Sequence, residues 1–390
     1  MQKNREEIIK IAQKIIPMRA ISPKSGGDGE SKRADILERI IEEYDVKTKR
    51  YDYIDKDGAA RSNVIAQTGK AARAINIIAH IDTVAAGDLK AWKTDPFKAT
   101  VIGDKIFGRG SEDDGHGIIS GLLCLKEASL NSPAKRKYSL RLVLAADEEV
   151  GSEYGVVKLL NERIFKKSDM FIVPDWGTPN GAQIEVAEKG ILWIKITIHG
   201  QQTHGSTPNL GINASLLSSK LQLKLHKELN AFYKSKDKTF DPCNSTFEPT
   251  KHEQNVDSIN IIPGKDVFYM DMRILPKYDV NDVLIRAKRI IKDQNINADV
   301  EIVQKNSPSM ILPNKSFAYK MLSSAIRQQL KVNPSPVGIG GGTVASYLRQ
   351  RGYDTLVWGV IDDMAHAVNE YVRISAIEKE ISVINALYNM

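Results

Sequence analysis

Hydrophobic residues along the first part of the chain follow two different spacings. Near-continuous apolar runs at residues 75–81, 140–146 and 170–173 predict strands that are buried on both faces, as in a parallel sheet. Apolar residues three or four positions apart predict helices before and between these strands, at residues 8–15, 33–44, 117–128 and 155–161. Alternation of strands and helices is typical of an α/β sheet.

The hydrophobic pattern changes near residue 191. Residues 192–198 alternate between apolar and polar side chains, which predicts an antiparallel strand with one buried face. The other elements predicted in this part are helices at 214–233 and 280–293 and strands at 267–274 and 298–303. The α/β pattern then resumes, with a helix at 315–329, glycines at 338–342, a further helix and a strand at 355–360. The chain therefore predicts an α/β domain in two parts, residues 1–190 and 308–390, interrupted by an inserted α+β domain at 191–307.

Composition narrows the classes of protein that fit this pattern. A chain of 390 residues with 42% hydrophobic and 26% charged residues is typical of a globular protein and excludes a largely disordered one. Two cysteines are too few for a disulfide framework and favour a cytoplasmic location. The net charge of +7 is spread along the chain without a basic and aromatic stripe, so no nucleic-acid partner is predicted. No apolar run approaches the length of a membrane helix, so no membrane partner is predicted either.

Acidic residues and histidines follow the predicted strands. His80 and Asp82 come at the end of the first apolar run, and Asp175 follows the third. Ligands of open α/β sheets bind at the carboxyl ends of the strands, so these positions favour a binding site. Residues two apart in extended backbone share a face, and Asp82 can therefore hold the imidazole of His80 as in a metal site. A hydrogen-bonded histidine without a ligand role is the alternative.

Two further acidic segments carry candidate chemistry. The segment 108–115, Gly-Arg-Gly-Ser-Glu-Asp-Asp-Gly, lacks the Lys-Ser/Thr ending of a phosphate loop, and its acids would repel a phosphate. Cation binding is favoured there, with a capped surface turn as the alternative. Asp147, Glu148 and Glu149 follow the strand at 140–146. Adjacent residues point in different directions, so Glu148 and Glu149 can take separate roles, one as a metal ligand and one in proton transfer.

The polar residues at these strand ends have the chemistry of metal ligands. Imidazole nitrogen and carboxylate oxygen suit a zinc-type site. The candidate ligands are His80, Asp113, Glu149, Asp175 and His366. Three carboxylates with one hydroxide also balance the charge of two divalent ions, which favours a two-metal site.

These motifs resemble those of the M20 metallopeptidases and amidohydrolases, which include succinyl-diaminopimelate desuccinylase, acetylornithine deacetylase and glutamate carboxypeptidase. His-x-Asp at 80–82, Gly-Arg-Gly-x-x-Asp at 108–113 and Asp-Glu-Glu-x-Gly at 147–151 occur in the order of that family. Pro174-Asp175, Glu-Lys-Gly at 188–190 and Gly-Gly-Gly-Thr at 340–343 look closest to a desuccinylase-like group. The resemblance covers nearly the whole chain. It implies a zinc-exopeptidase-like catalytic domain with a mixed, mostly parallel sheet, interrupted by a ferredoxin-like lid and dimerisation domain.

The resemblance also implies the roles of the ligand candidates. His80, Asp113 and Asp175 would hold one divalent metal ion, and Asp113 would bridge to a second ion held by Glu149 and His366. Zinc is the preferred metal, with cobalt and manganese as alternatives, because this ligand set accepts all three.

Further roles follow from the same resemblance. Asp82 would orient His80, and Glu148 would be the general base that moves a proton from the bridging water to the leaving amine. His204 would reach into the active site of the neighbouring subunit as an oxyanion donor. The residues expected to contact the substrate are Arg273, Asn260, Gly341, Gly342 and Thr343. Without the resemblance, a loop histidine and a surface ion pair are the alternatives for His204 and Arg273.

The chain departs from the family pattern at two places. Val344 follows Thr343 where many members have aspartate, and Asp114-Gly115-His116 replaces Met-Lys-Gly after the bridging aspartate. Neither place carries a metal ligand in the family, so hydrolysis is expected to persist. His116 is not expected to be an extra ligand, since the family pattern already fills both metal sites.

The sequence thus predicts a cytoplasmic, homodimeric, metal-dependent hydrolase that cleaves an amide bond next to a free carboxylate. Deacylation of an N-acyl amino acid is the preferred reaction, and carboxypeptidase or dipeptidase action on short peptides is the alternative. A non-catalytic metal-dependent binding protein is a remote alternative, because such a protein would be expected to lack the base or a ligand. Glu148 and every ligand position are present.

Overall fold

A computed structural model describes residues 2–130 and 136–390. Its contacts divide the chain into two compact units. The large unit comprises Met1–Val186, Ile311–Pro336 and Thr343–Met390. The small unit comprises Ala187–Met310 and Val337–Gly342.

Every helix and strand predicted from hydrophobic spacing is present, with ends that differ by a few residues. The helices of the described residues are α1 (Gln2–Ile15), α2 (Ser31–Glu42), α3 (Gly115–Leu130), α4 (Val156–Asn161), α5 (Ala214–Phe232), α6 (Val280–Lys292), α7 (Phe317–Leu330), α8 (Ala345–Gln350) and α9 (Ile374–Tyr388). The strands are β1 (Thr48–Ile54), β2 (Ala60–Thr68), β3 (Arg73–His80), β4 (Thr100–Ile102), β5 (Lys105–Phe107), β6 (Tyr138–Ala145), β7 (Met170–Gly177), β8 (Gln183–Glu188), β9 (Gly190–His199), β10 (Thr203–His204), β11 (Thr246–His252), β12 (Ile261–Ile262), β13 (Lys265–Ile274), β14 (Ala298–Asn306), β15 (Ser309–Met310), β16 (Ser335–Ile339), β17 (Asp354–Gly359) and β18 (Tyr371–Arg373).

The large unit is built on a mixed sheet with the strand order β1-β2-β6-β3-β7-β17-β8. The four central strands, β6, β3, β7 and β17, are parallel and almost fully buried. The flanking strands β1, β2 and β8 pair antiparallel. The predicted mixed α/β fold is confirmed, with its parallel part confined to the four central strands. Short connections explain the flanks, because consecutive strands joined by a tight turn cannot run parallel.

Helix α3 fills the centre of the large unit. It packs against β3, β6, α1 and α9, and 12 of its 16 residues are buried. Gly121 permits the close approach to the sheet, since a Cβ atom at this position would lie 2.6 Å from Cδ1 of Leu142. The helix begins at Gly115, directly after Asp113 and Asp114. Its packing therefore fixes where these two carboxylates lie.

The small unit has an antiparallel sheet with the strand order β11-β13-β9-β14, covered on one face by α5 and α6. The chain order β9-α5-β11-β13-α6-β14 is the βαββαβ arrangement of ferredoxin-like folds. Leu192, Ile194, Ile196 and Ile198 on β9 are fully buried, as their alternation predicted. The segment Val337–Gly342 belongs to this unit because Lys189 N–H donates to the Ile339 carbonyl at 3.0 Å.

No helix among residues 2–130 and 136–390 is both long enough and apolar enough to cross a lipid bilayer.

Candidate metal centre

Three adjacent parallel strands carry polar residues to the same edge of the large sheet. β3 ends at His80, the turn after β6 carries Glu148 and Glu149, and Asp175 lies near the end of β7. Asp175 was expected just after its strand, but β7 continues to Gly177. The strand runs on because Gly177 still pairs with Gly359 of β17. Parallel strands end at a common edge, so the topology brings these side chains together.

The imidazole of His80 lies between Asp113 and Asp175 on its Nε2 side and Asp82 on its Nδ1 side. Its Nε2 atom lies 2.7 Å from Oδ1 of Asp113 and 3.8 Å from Oδ1 of Asp175. Its Nδ1 atom lies 3.1 Å from the backbone carbonyl of Asp82 and 3.5 Å from Oδ1 of the Asp82 carboxylate. Asp82 therefore contacts the far side of the ring mainly through its backbone.

The carboxylate of Asp82 also binds the turn that follows β6. It accepts hydrogen bonds from the backbone N–H groups of Glu148 and Glu149 at 3.0 and 3.1 Å. The side chain is fully buried. Asp82 thus fixes the turn that carries both glutamates, in addition to lying against His80.

Asp113 faces both histidines. Its Oδ2 atom lies 3.0 Å from Nε2 of His366, while Oδ1 faces His80. Nε2 of His366 also lies 3.2 Å from Oε2 of Glu149, whose Oε1 accepts the Val84 N–H at 3.0 Å. Two groups of ligand atoms result, each with all atoms within 4.8 Å of one another: His80, Asp113 and Asp175, and Asp113, Glu149 and His366. The structure thus brings together all five residues singled out as metal ligands.

The electrostatics of this cluster favour a bound cation. Burial raises the pKa of Glu148 and of Asp175 well above the usual range, and the neighbouring carboxylates raise both pKa values further. Hydrogen bonds to Asp113 and Glu149 raise the pKa of His366 to about 10. The carboxylates that contribute to these pKa shifts lie close together, and a divalent ion would neutralise their charge. Nitrogen and carboxylate donors are also the ligands that zinc prefers, so the residues fit a metal site.

Two acidic residues that the sequence analysis left without a role hold the loops of this cluster. Glu370 accepts the backbone N–H groups of Glu112 and Asp113 at 2.8 and 3.0 Å and pairs with Arg109 at 2.6 Å. Glu112 in turn accepts the N–H of Asp362 at 2.6 Å. No local spacing indicates these contacts, because the partners are some 250 residues apart in the chain.

The two departures from the family pattern have structural explanations. His116 lies outside both ligand groups of the described residues, and its Nδ1 atom pairs with Oε1 of Glu380 at 2.8 Å. Val344 is buried in an apolar cluster with Val357 and Leu348, where a carboxylate would be costly. Both positions are therefore part of the core of the large unit.

The structure also brings together His204 and Asn260, in the small unit. The ring of His204 is exposed on β10, with Nδ1 2.7 Å from Oγ of Ser206 and Nε2 3.4 Å from Nδ2 of Asn260. Strand β12 follows Asn260 and pairs with β10, which places the two residues side by side.

Arg273 lies among other residues of the small unit. Its Nε and Nη2 atoms donate to the two carboxylate oxygens of Asp271 at 2.7 and 2.9 Å, and its Nη1 atom donates to the Gly340 carbonyl at 2.9 Å. The predicted substrate residues Gly341 and Gly342 follow Gly340 directly. Thr343 differs, because it lies in the large unit, where its Oγ1 accepts the N–H of Ala345 at the start of α8.

The fold and the ligand cluster together define a metal-dependent α/β enzyme. The chain matches the model of Peptidase family M20/M25/M40 over residues 77–389, and it belongs to that family. Family membership confirms the resemblance inferred from the motifs. The protein is a metallohydrolase of this family, acting on peptide or other carbon–nitrogen bonds.

Known relatives support this placement. An uncharacterised metallohydrolase of Methanocaldococcus jannaschii is 38% identical, with 96% of this chain and 97% of the relative aligned. A succinyl-diaminopimelate desuccinylase of Buchnera aphidicola is 26% identical over 94% of both chains. The M20 family metallo-carboxypeptidase of Sulfolobus solfataricus shares the fold, with a TM-score of 0.80, 20% identity and coverage of 100% of this chain and 99% of that one.

Proposed function

We propose that this protein is a two-metal amidohydrolase that removes the acyl group from an N-acyl amino acid, cleaving an amide bond next to a free carboxylate. One observation supports the two-metal part above all: the two carboxylate oxygens of Asp113 lie 2.7 and 3.0 Å from Nε2 of His80 and of His366. A carboxylate between two ligand groups is the arrangement that a shared pair of ions needs.

The proposed ligand sets follow the two groups of the cluster. His80, Asp113 and Asp175 would hold one ion, and Asp113, Glu149 and His366 the other. Zinc is the proposed metal, with cobalt or manganese able to replace it. When bound, the ions lower the pKa of a water molecule and polarise the scissile carbonyl.

Glu148 is the proposed general base. Its backbone is fixed by Asp82, and its carboxyl lies in the field of Asp175, which together with burial holds its pKa well above the usual value. A carboxylate with a raised pKa accepts a proton readily from an acidified water and can pass it to the leaving amine. Glu149 beside it points to His366, so the two glutamates take separate roles.

Arg273 of the small unit is proposed to bind the substrate carboxylate. Arg273 has a planar guanidinium that donates to Asp271 and to the Gly340 carbonyl and lies 5.6 Å from the centre of the Trp193 ring. A planar fork suits a carboxylate better than a point charge does. His204 and Asn260 are proposed to contact the substrate across the interface of a homodimer, with residues 191–307 as the lid and dimerisation domain.

Two observations support the remaining parts of the proposal. The desuccinylase relative aligns over 94% of this chain, which favours an N-acyl amino acid as the substrate. Peptidases of the same family act on small peptides, so a carboxypeptidase or dipeptidase activity is the second candidate. The two cysteines, Cys124 and Cys243, are both free, which fits a cytoplasmic location.

A substrate panel with the zinc-loaded protein tests the proposal. N-succinyl and N-acetyl amino acids, dipeptides and peptides with a C-terminal glutamate are compared, with Glu148→Gln as the test variant and the exposed Glu153→Gln as its control. We expect turnover of N-acyl amino acids, lost by roughly 100-fold or more in Glu148→Gln with metal content unchanged. Turnover of peptides alone would favour the second candidate, and a metal-loaded protein inert on every substrate would contradict the hydrolase role.

A further inference from the structure

Two loops of the large unit carry ligands of the second metal group, and neither is part of the central sheet. Asp113 lies at the end of the glycine-rich segment before α3, and His366 lies in the segment between β17 and β18. The side chain of His366 is 57% exposed, and its backbone has a φ of 63°. An exposed side chain on a loop has many accessible conformations. Other contacts must therefore fix the backbone of the loop if the side chain is to be positioned for metal binding before the ion arrives.

Glu370 holds the first of these loops. Its Oε1 atom accepts the N–H groups of Glu112 and Asp113, and its Oε2 atom accepts the N–H of Gly110 at 3.0 Å and the guanidinium of Arg109 at 2.6 Å. The side chain is completely buried. Four donors therefore converge on one carboxylate, in a place where the lost bonds cannot be replaced by water.

Glu112 holds the second loop in return. Its two carboxylate oxygens accept the N–H groups of Asp362 and Met364 at 2.6 and 2.5 Å. Arg109 adds a bond to the His366 carbonyl at 3.2 Å. We call Arg109, Glu112 and Glu370 the carboxylate clamp, because each loop supplies the acid that fixes the other.

The first metal group does not depend on this clamp to the same extent. His80 ends β3 and Asp175 lies in β7, so both are placed by the central sheet. Asp113 is also anchored from its other side, since Oδ2 of Asp114 accepts the His80 N–H at 3.2 Å and α3 begins at the next residue. Loss of the clamp would free His366 while leaving His80, Asp113 and Asp175 in place.

We infer that Glu112 and Glu370 are positioning residues that set the affinity of the second metal group, Asp113, Glu149 and His366, and leave the first group nearly unaffected. This inference rests on the proposed two-metal function. Groups that orient a metal ligand typically contribute 10- to 100-fold to metal affinity. Loss of Glu112 or Glu370 is therefore expected to weaken one of the two metal-binding steps and to leave the other nearly unchanged.

The test is a calorimetric titration of the metal-free full chain with Zn²⁺. The metal content of each variant is measured separately, after loading and dialysis. The variants are Glu112→Gln and Glu370→Gln, each of which replaces one acceptor oxygen by an NH2 group that donates and cannot accept. Asp169→Asn is the matched control, because Asp169 is buried, accepts the N–H groups of Ala74 and Lys166 and pairs with Arg141, before β7 begins. Circular dichroism checks that each variant is folded.

We expect two binding steps in the wild-type protein. In both clamp variants one of the two steps should lose roughly 10- to 100-fold in affinity, while the other should change less than about threefold. Dialysed clamp variants should retain one ion per chain, and Asp169→Asn should retain two.

Three outcomes would count against the inference. Two unchanged steps in folded clamp variants would overturn it alone, and so would an equal loss in both steps. A single binding step in the wild-type protein would overturn the two-metal proposal and the inference with it.

Discussion

At the scale of single residues, the large unit pairs buried charges behind the metal centre instead of excluding them. His116 is buried between Glu380, at 2.8 Å from its Nδ1 atom, and Asp114, at 3.5 Å from its Nε2 atom. Glu380 also accepts the Val360 N–H at 2.7 Å, so the pair links α3, α9 and the segment after β17. Removing one partner of such a pair leaves an unpaired buried charge. This destabilises the fold more than replacing both partners by apolar residues does.

Titration of His116 should make the stability of the protein depend on pH. Burial lowers its pKa, but Glu380, Asp114 and Glu112 raise it more, to about 10 from an ordinary 6.5. A raised histidine pKa contributes stability that is fully present below pH 6.5 and is lost as the pH rises through about 10. We therefore expect the free energy of unfolding to fall over this range and to fall less in His116→Gln.

The change in the free energy of unfolding with pH is measured by denaturant unfolding at several pH values. A chelator is present throughout, because metal binding also depends on pH and would add its own contribution. Asp114 should leave a residual slope in the variant, since burial raises its pKa to about 8 and it loses its proton in the same window. Equal slopes in the wild-type protein and His116→Gln would contradict the prediction.

The residues of the site differ in how far the sequence reveals them. His80, Asp82, Glu148 and Glu149 stand directly after apolar runs, so strand ends alone indicate them. Asp271, the partner of Arg273, was not singled out from the sequence, although it lies two residues away on the same face of β13. Glu370 could not be found in this way, since its donors are some 250 residues away and only the folded chain joins them.

At the scale of elements, the central strands could be predicted because they are buried on both faces and therefore form apolar runs. The outer strands β1 and β2 could not be predicted, because many of their residues are polar. β1 has no fully buried residue and carries lysine, arginine and aspartate, so its hydrophobic pattern resembles that of a loop. β2 begins with polar residues that are nevertheless buried, among them Arg61, which pairs with Glu30 and Asp55. These charges are tolerated inside because they are paired, a condition that no periodicity can show.

The contact between β7 and β17 allows a test at the scale of elements. A Cβ atom on Gly177 would lie 2.0 Å from the carbonyl oxygen of Gly359, a backbone atom that cannot rotate away. We expect Gly177→Ala to lower the free energy of unfolding by about 1–3 kcal/mol, as overpacking does. Gly340→Ala is the control, since its Cβ would meet no atom within 4 Å. Equal stability of the two variants in denaturant unfolding would show that the strands can move apart at little cost.

At the scale of the whole molecule, the small unit is a continuous stretch of chain that interrupts the sequence of the large unit, apart from the short segment Val337–Gly342. The hydrophobic pattern changes at residue 191, near the start of this unit at Ala187, because a sheet with one covered face has alternating strands. The short return of the chain at residues 337–342 could not be predicted, since it depends on bonds to Lys189 and Arg273.

The proposed homodimer predicts a role for the exposed face of α5. Leu216 and Leu223 on this helix are 53% and 73% exposed, and Ile212 just before it is 50% exposed. Apolar side chains in one patch are typical of an interface. We expect Leu223→Asp to shift the mass measured by light scattering from that of a dimer towards the 43.4 kDa of one chain.

Ile54→Asp is the control for this experiment, because Ile54 is 66% exposed at the end of β1 in the large unit. It should leave the dimer intact. A wild-type mass equal to that of one chain would contradict the proposed homodimer, and a dimer that persists in Leu223→Asp would exclude α5 as its interface.

The order of the ligands along the chain has a consequence for synthesis on the ribosome. His80, Asp113, Glu149 and Asp175 are synthesised first, the small unit follows, and His366 and Glu370 come after it. At roughly 5–20 residues per second, tens of seconds separate the first ligand from the last. A nascent chain therefore displays an open half of the centre long before it can close the other half. Hydrolysis that needs both ligand groups must therefore wait until the chain has been synthesised past His366 and Glu370.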